Sequence, residues 1–153
     1  MARIFVFDDD ESVRSVVRRL LSRRGHEVFT FARPTRCDLC PCTGDRLSCA
    51  EILISDVSMP ELGGIDFVEH QRSLGCQVPH VAFMSGNWTE KNLRRAHELG
   101  ARVFQKPFAT DEFRDWVDAC SDRLPADWKL SRGYLKNVPP DPSDSRFSRP
   151  APG

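Results

Sequence analysis

Short apolar runs alternate with amphipathic stretches from the start of the chain to about residue 124. The first run, Ile4–Phe7, is continuous in apolar residues, as expected of a strand that is buried on both faces of a sheet. The strands are expected at residues 4–7, 28–31, 52–55, 81–84 and 103–104. The stretches that follow carry apolar residues at helical spacing, so the chain repeats a strand–helix unit. The repeat predicts an α/β fold, a doubly wound five-stranded parallel sheet with helices on both faces.

Capping residues and glycines mark the expected ends of the helices. Gly25 closes the first helix, and Gly100 lies just past the helix that follows Thr89. Thr89 is placed to be the N-cap of that helix, and Thr110 is placed to be the N-cap of the last one. Pro125 is expected to stop the last helix.

Residues 36–49 stand where the second helix of the repeat is expected. They form a poor helix, because Pro41 and Gly44 lie in the middle of the segment. The segment carries a C-x2-C-x-C-x6-C pattern formed by Cys37, Cys40, Cys42 and Cys49. Four thiolates can hold Zn²⁺ in a tetrahedral site or an iron–sulfur cluster. The alternatives are a flexible loop of free thiols or a disulfide formed on purification, because the spacing is unusual for a metal site.

The composition changes near residue 125, where a proline-rich tail begins. Six of the eleven prolines lie in residues 125–153, and the stretch has no apolar period. Such a segment cannot offset the entropy of ordering itself, so it is predicted to be mostly disordered. Its first part could dock on the body through Trp128, Leu130, Tyr134 and Leu135. No second domain is expected, and therefore no separate output module.

Charge and hydropathy exclude some classes of partner. The chain has 22 basic and 22 acidic residues, so nothing in its net charge indicates nucleic acid or a membrane surface as a partner. No apolar run approaches the roughly 18 residues of a membrane helix, and the N-terminus lacks a signal-peptide core. We therefore expect a cytoplasmic protein whose thiols stay mostly reduced. In that setting Cys76 and Cys120 are predicted to be buried small apolar residues.

Polar and charged residues follow four of the five predicted strands. Residues 8–10 are all aspartates after the first strand, and Asp56, Ser85 and Lys106 follow the third, fourth and fifth strands. In a doubly wound sheet these positions share one edge, where ligands bind. Crowded carboxylates repel each other unless a cation joins them, and Mg²⁺ is the usual hard cation inside cells. The pattern predicts a phosphoryl-transfer site with an aspartate nucleophile and a lysine that pairs with the phosphoryl group.

At these strand ends the sequence resembles the receiver domains of two-component response regulators, which have the CheY-like, flavodoxin-like fold. The resemblance covers residues 3 to about 122. It rests on four motifs in order, each at the end of a predicted strand; these are Phe7–Arg14, Ser55–Pro60 with Gly64 downstream, Met84–Gly86 and Lys106–Phe108. One such motif alone is weak, but the four in this order are highly specific.

The resemblance implies a phosphoacceptor and a Mg²⁺ site. Asp56 would accept a phosphoryl group from a sensor histidine kinase or a phosphotransfer protein. Asp9 would bind Mg²⁺ directly, Asp8 would act through a water, and Asp56 and the backbone carbonyl of Ser58 would complete the protein ligands. Asp10 falls one place beyond the acidic pair of the family and is left out of the site.

The resemblance also implies how the phosphoryl group is sensed. Ser85 would hydrogen-bond the phosphoryl oxygens and Lys106 would pair with them, and the bond from Lys106 to Pro107 is a candidate cis peptide. Movement of Ser85 would be followed by an aromatic residue on the fifth strand. The usual aromatic position is Val103 here, so either Phe104 takes the role through a shifted register or the protein signals differently.

The function implied is a single-domain response regulator that changes its affinity for a downstream protein when phosphorylated. The partner would bind the face formed by the fourth helix, the fifth strand and the fifth helix. The chain would not be an enzyme in the ordinary sense, because it would catalyse only its own phosphorylation and dephosphorylation. The side chains of Ser58 and Asn87 are expected to tune the phosphoryl lifetime.

Two other functions stay open on the sequence alone. A haloacid-dehalogenase-like phosphatase also opens with D-x-D, which Asp8 and Asp10 fit, but it needs a later acidic pair on a strand-end loop. The later acids instead follow a helical pattern; they are Asp111, Glu112, Asp115 and Asp118. The other alternative is a receiver-like scaffold that senses metal or redox state through the cysteines of residues 36–49.

Overall fold

The computed structural model describes residues 2–33, 47–48, 50–60, 62–123 and 129–130 of the chain. The strands are β1 (Arg3–Phe7), β2 (Glu27–Phe31), β3 (Leu47–Ser48), β4 (Ile52–Asp56), β5 (His80–Ser85), β6 (Arg102–Gln105) and β7 (Lys129–Leu130). The helices are α1 (Glu11–Ser22), α2 (Gly64–Ser73), α3 (Glu90–Glu98) and α4 (Thr110–Asp122). All five strands expected from the apolar runs are confirmed in β1, β2, β4, β5 and β6.

Five strands form one parallel sheet in the order β2-β1-β4-β5-β6. The chain moves outward from β1 to β2 and then returns to the other side of β1 to form β4. Strand order therefore reverses between β1 and β4, and in such sheets ligands bind at the carboxyl ends of the strands on either side of that point. The register there places Phe7 beside Ser55, so the residues that follow them are neighbours.

The core has two layers, one on each face of the sheet. Successive residues of β1 alternate between them, with Phe5 and Phe7 facing α2 and α3, and Ile4 and Val6 facing α1 and α4. The first layer is rich in aromatic rings, and the ring centroids of Phe7 and Phe67 lie 5.0 Å apart. Both faces of the central strands are buried, which explains why their sequences are continuously apolar rather than alternating.

The predicted ends of α3 are confirmed, whereas the predicted N-cap of α4 is not. The Thr89 side chain accepts a hydrogen bond from the Asn92 amide at 3.1 Å, and Gly100 follows α3 with a φ of +69°, as predicted. The prediction that Thr110 caps α4 is wrong. The N-cap is Ala109, because its carbonyl already accepts the first helical hydrogen bond from the Phe113 amide, so Thr110 is the first helical residue.

Two predicted segments lie mainly outside the described residues. Of residues 36–49, only 47–48 and no cysteine are described, and of the tail 125–153 only 129–130 are described. These two short pieces form a parallel pair, with Leu47 beside Lys129 and Ser48 beside Leu130. The pairing brings the beginning of the tail next to the end of the cysteine-bearing segment.

Two cysteines lie within the described residues, and both are free thiols. Cys120 is buried on α4, as predicted, and burial raises the pKa of its thiol to about 11. Cys76 is only half-buried and packs against the layer formed with α2 and α3. Among the described residues, no helix combines the length and apolar character needed to cross a membrane.

Candidate functional site

Three carboxylates meet at the carboxyl edge of the sheet. Asp8 follows β1 directly, Asp56 is the last residue of β4, and Asp9 lies next to Asp8. Each offers an oxygen atom, and these atoms all lie within 4.8 Å of one another. Asp8 is fully buried and Asp56 is 7% exposed, whereas Asp9 is exposed. Two carboxylates of the cluster are therefore buried, and the third is exposed to solvent.

Hydrogen bonds hold Asp8 in place from several sides. Its amide donates to the carbonyl of Phe31 at 3.1 Å, and its carbonyl accepts from the buried guanidinium of Arg14 at 2.8 Å. One carboxylate oxygen, Oδ1, accepts from the Asp10 amide at 2.9 Å, and the other, Oδ2, accepts from Nζ of Lys106 at 2.8 Å. Burial raises the pKa of Asp8, although the bonds from Lys106 and Asp10 act in the opposite direction.

The carboxyl group of Asp56 shares the same ammonium. Nζ of Lys106 lies 3.4 Å from Oδ1 of Asp56. Burial, followed by the nearby charge of Asp8, raises the pKa of Asp56 to about 6, even with Lys106 acting to lower it. Burial alone would lower the pKa of Lys106, but its bonds to Asp8 and Asp56 outweigh burial and raise it. The cluster thus combines three carboxylates with the one ammonium of Lys106, a charge imbalance that a divalent cation would relieve.

The backbone around Asp56 leaves no space for a side chain at the start of α2. A Cβ atom on Gly64 would lie 2.1 Å from the carbonyl oxygen of Asp56 and 2.5 Å from Oγ of Ser55. The Ser55 hydroxyl donates to that same carbonyl at 3.0 Å, and the Val57 amide donates to the Met84 carbonyl at 3.0 Å. The backbone at the end of β4 comes so close to position 64 that only a glycine fits there. This close approach explains why the sequence motif has a glycine at this position.

Ser85 and Lys106 are brought together at the ends of β5 and β6. The Lys106 amide donates to the Ser85 carbonyl at 2.9 Å, and the peptide bond between Lys106 and Pro107 is cis, as predicted. Ser85 is buried, and its Oγ accepts a hydrogen bond from the Asn87 amide at 3.0 Å. Met84 pairs with Asp56, so Ser85 extends one residue beyond Asp56 on the neighbouring strand.

The remaining predicted residues occupy different places around the cluster. Ser58 lies in the loop after β4, two residues beyond Asp56, and is exposed. Asp10 does not join the three carboxylates. Its side chain instead caps α1 by accepting from the Ser12 amide at 2.8 Å, which fits its exclusion from the predicted site.

Phe104 does not occupy the usual aromatic position. It is 3% exposed and packs against Phe113 and Trp116, on the sheet face covered by α1 and α4. Val103 faces the opposite layer, where Trp88 also packs. The shifted register that would let Phe104 act as the aromatic residue that follows Ser85 is therefore not present. In the sequence, only the position of Trp88 three residues after Ser85 indicates that it lies near the site.

The chain belongs to the response regulator receiver domain family, which matches residues 4–118. It is similar to nodulation protein W of Bradyrhizobium diazoefficiens, with 34% identity over 125 residues that cover 80% of this chain and 52% of the relative. The response regulator protein TodT of Pseudomonas putida is 33% identical, with the same two coverages of 80% and 52%. The chain thus spans about half the length of these curated relatives.

Solved structures agree on the fold. The receiver domain of a Francisella response regulator superposes with a TM-score of 0.67 at 19% identity, covering 80% of this chain and 98% of that one. This similarity confirms the CheY-like fold expected from the sequence. The comparisons favour neither the phosphatase nor the sensing scaffold. The later acidic residues, which a phosphatase would need on a strand-end loop, lie on helix α4 as expected. The four cysteines proposed as metal ligands lie outside the described residues.

Proposed function

We propose that this chain is the phosphoryl-accepting module of a two-component system, with Asp56 as the acceptor. The observation that carries the proposal is the shared contact of one ammonium with two buried carboxylates, Lys106 with Asp8 and Asp56. This arrangement keeps a nucleophilic carboxylate beside a fixed positive charge at the edge of a sheet where ligands bind. The donor is a sensor histidine kinase or a phosphotransfer protein.

Mg²⁺ fits the donor set of the cluster. The oxygens of Asp8, Asp9 and Asp56 lie within 4.8 Å of one another, and hard oxygen ligands are those that Mg²⁺ prefers. Asp9 would bind the ion directly and Asp8 through a water, with Asp56 and the backbone carbonyl of Ser58 as further ligands. When bound, the ion neutralises the charge of the carboxylates and of the phosphoryl oxygens.

The transfer itself is a displacement at phosphorus. A carboxylate oxygen of Asp56 forms the new P–O bond, and the P–N bond of the phosphohistidine breaks. The electron pair stays on the imidazole nitrogen, which takes a proton, and Asp56 becomes an acyl phosphate. With a pKa of about 6, Asp56 is mainly ionised at neutral pH and able to act as the nucleophile. Lys106 and Ser85 then interact with the phosphoryl oxygens.

The consequence of phosphorylation is a change in protein binding rather than turnover of a separate substrate. An acyl phosphate adds charge and acceptor oxygens to a buried edge of the sheet. The face built from α3, β6 and α4 adjoins this edge through Ser85 and Lys106, so it is the surface on which a downstream protein would sense the change. The chain's own chemistry is then limited to gaining and losing the phosphoryl group.

Intact mass after incubation with acetyl phosphate and Mg²⁺ tests the proposal. We expect one phosphoryl group on the unaltered chain, and none on Asp56→Asn or when EDTA removes Mg²⁺. Asp10→Asn is the matched control, because Asp10 caps α1 outside the cluster and asparagine is an equally good cap. A chain that gains no mass, or that gains it equally in Asp56→Asn, would refute the assignment of Asp56.

A further inference from the structure

Two side-chain hydrogen bonds connect the loop between β5 and α3 to the edge strand β6. Nε1 of Trp88 donates to the carbonyl of Phe104 at 3.0 Å. In the other direction, Nε2 of Gln105 donates to the carbonyl of Gly86 at 3.0 Å. β6 is the last strand of the sheet, so its outer backbone groups have no neighbouring strand to pair with. The indole of Trp88 therefore joins the loop directly to the backbone of this strand.

The same loop is also tied to the phosphoacceptor site. The Asn87 amide donates to Oγ of Ser85, the hydroxyl that lies one residue beyond the strand partner of Asp56. Asn87 is the immediate neighbour of Trp88. A change in the hydrogen-bond partner of the Ser85 hydroxyl therefore acts on the residue next to Trp88, whose indole binds β6.

Trp88 forms a wall of a groove on this side of the molecule. The groove has a volume of about 450 Å³ and lies between α3 and α4, across β6. Leu93 of α3, Val103 of β6 and Phe108 of the loop before α4 line it together with the indole. Val103 contributes only a small aliphatic side chain to this groove and packs in the same layer as Trp88. The indole of Trp88, on the loop after β5, is the largest side chain that lines the groove.

We propose that Trp88 is a latch that couples phosphorylation of Asp56 to the shape of this groove. In the structure, Ser85 Oγ accepts from Asn87 and the indole is bound to the Phe104 carbonyl. When Ser85 Oγ turns to a phosphoryl oxygen, the Asn87 amide loses its partner and the loop shifts. The indole then leaves the Phe104 carbonyl and the wall of the groove opens. This inference rests on the proposed function, since it needs a phosphoryl group on Asp56.

Fluorescence of a chain with Trp88 as its sole tryptophan tests the latch. The chain has three tryptophans, so Trp116→Phe and Trp128→Phe leave only Trp88. Emission and acrylamide quenching are recorded before and after incubation with acetyl phosphate and Mg²⁺, and intact mass is measured on the same sample. We expect a red shift and stronger quenching on phosphorylation, and neither change when Asp56→Asn is added.

Ser85→Ala in the same background tests the connection through the hydroxyl. Acetyl phosphate should still label this variant, more slowly, while the emission of Trp88 stays at its starting value. A red shift that persists in labelled Ser85→Ala would overturn the coupling through Ser85. Should Trp116→Phe fail to fold, ¹⁹F NMR of the unaltered chain with 5-fluorotryptophan follows Trp88 directly, with its resonance assigned from Trp88→Phe.

The readouts separate failure of the latch from failure of the proposed function. A mass gain of one phosphoryl group with unchanged Trp88 emission would overturn the latch and leave Asp56 as the acceptor. No mass gain under any condition would overturn both.

Discussion

Nζ of Lys106 donates a hydrogen bond to Oδ2 of Asp8 at 2.8 Å, and this bond joins the two ends of the site. Asp8 follows the central strand β1, and Lys106 follows the edge strand β6. The bond therefore reaches across the carboxyl ends of β4 and β5, which carry Asp56 and Ser85. The ammonium of Lys106 thus contacts the fully buried carboxylate of Asp8 and also lies near the carboxylate of Asp56.

Replacing Lys106 with methionine removes this cation while keeping an unbranched side chain. The buried Asp8 carboxylate then loses its charged partner, which should lower the free energy of unfolding by about 1–3 kcal/mol. Phosphorylation by acetyl phosphate should slow at least about tenfold, because the charge that faces the phosphoryl oxygens is gone. Lys91→Met, on the exposed side of α3, is the control and should match the unaltered chain. Equal labelling rates in both variants would contradict the role of Lys106.

Asp56→Asn should stabilise the protein at neutral pH when no divalent cation is present. The folded-state pKa of Asp56 is about 6, against an ordinary value of 3.8, so the ionised form is less stable in the folded chain than in the unfolded one. The difference corresponds to roughly 3 kcal/mol. This destabilisation of the folded chain is fully present above about pH 6. It disappears as the pH falls towards the pKa of Asp56 in the unfolded chain, because the folded state binds the proton more tightly.

Urea unfolding in EDTA measures this effect. We expect Asp56→Asn to exceed the unaltered chain in unfolding free energy at about pH 7.5, and the difference to shrink towards about pH 4. Added Mg²⁺ should stabilise the unaltered chain more than the variant, since the variant lacks one of the three carboxylates. If the stability difference is independent of pH, Asp56 does not titrate in this range.

The strands and the main site residues could be predicted from the sequence for a physical reason. Central strands of a parallel sheet are buried on both faces, so they appear as continuous apolar runs such as Ile4–Phe7. The residues directly after such runs must lie at one edge of the sheet. That rule is sufficient to predict from the sequence that Asp8, Asp56, Ser85 and Lys106 lie together.

Other features could not be predicted, because no periodic signal encodes them. Strand β6 is an edge strand with only Phe104 fully buried, so its apolar residues do not reveal which face each side chain takes. β3 and β7 contain two residues each and are too short for a pattern. The N-cap of α4, Ala109, makes no side-chain hydrogen bond and leaves no signal in the sequence. The next residue, Thr110, is a typical N-cap residue, so the start of α4 was predicted one residue too late.

Gly64→Ala should disrupt the site through the backbone. The added Cβ would lie 2.1 Å from the Asp56 carbonyl, so the start of α2 or the end of β4 must shift. We expect a loss of about 1–3 kcal/mol in unfolding free energy, as for overpacking in a core, together with slower phosphorylation. Gly86→Ala is the matched control, because a Cβ there has nothing within 4 Å. Comparable losses in both variants would mean that general backbone effects, not the contact with Asp56, are responsible.

Asp118→Asn should weaken the link between α4 and the turn that precedes β2. Oδ1 of Asp118 lies 2.9 Å from Nε2 of buried His26, and Oδ2 accepts from Nε of Arg24 at 3.0 Å. Burial tends to raise the pKa of Asp118, but the bonds with Arg24 and His26 outweigh burial and lower it. Because its pKa is lowered in the folded state, ionised Asp118 stabilises the folded protein at pH values above its ordinary pKa of 3.8. This stabilisation is lost as the pH falls through the pKa of Asp118 in the folded state.

We therefore expect Asp118→Asn to cost about 1 kcal/mol at neutral pH, a modest value because the pair with Arg24 is partly exposed. Asp122→Asn, at the exposed end of the same helix, should cost nothing measurable. Urea unfolding of both variants at neutral and acidic pH provides the measurement. The deficit of Asp118→Asn should vanish in acid, where the carboxylate of the unaltered chain is protonated and no longer binds its partners. A deficit that persists there would show that packing, rather than the charge of Asp118, fastens α4 to this turn.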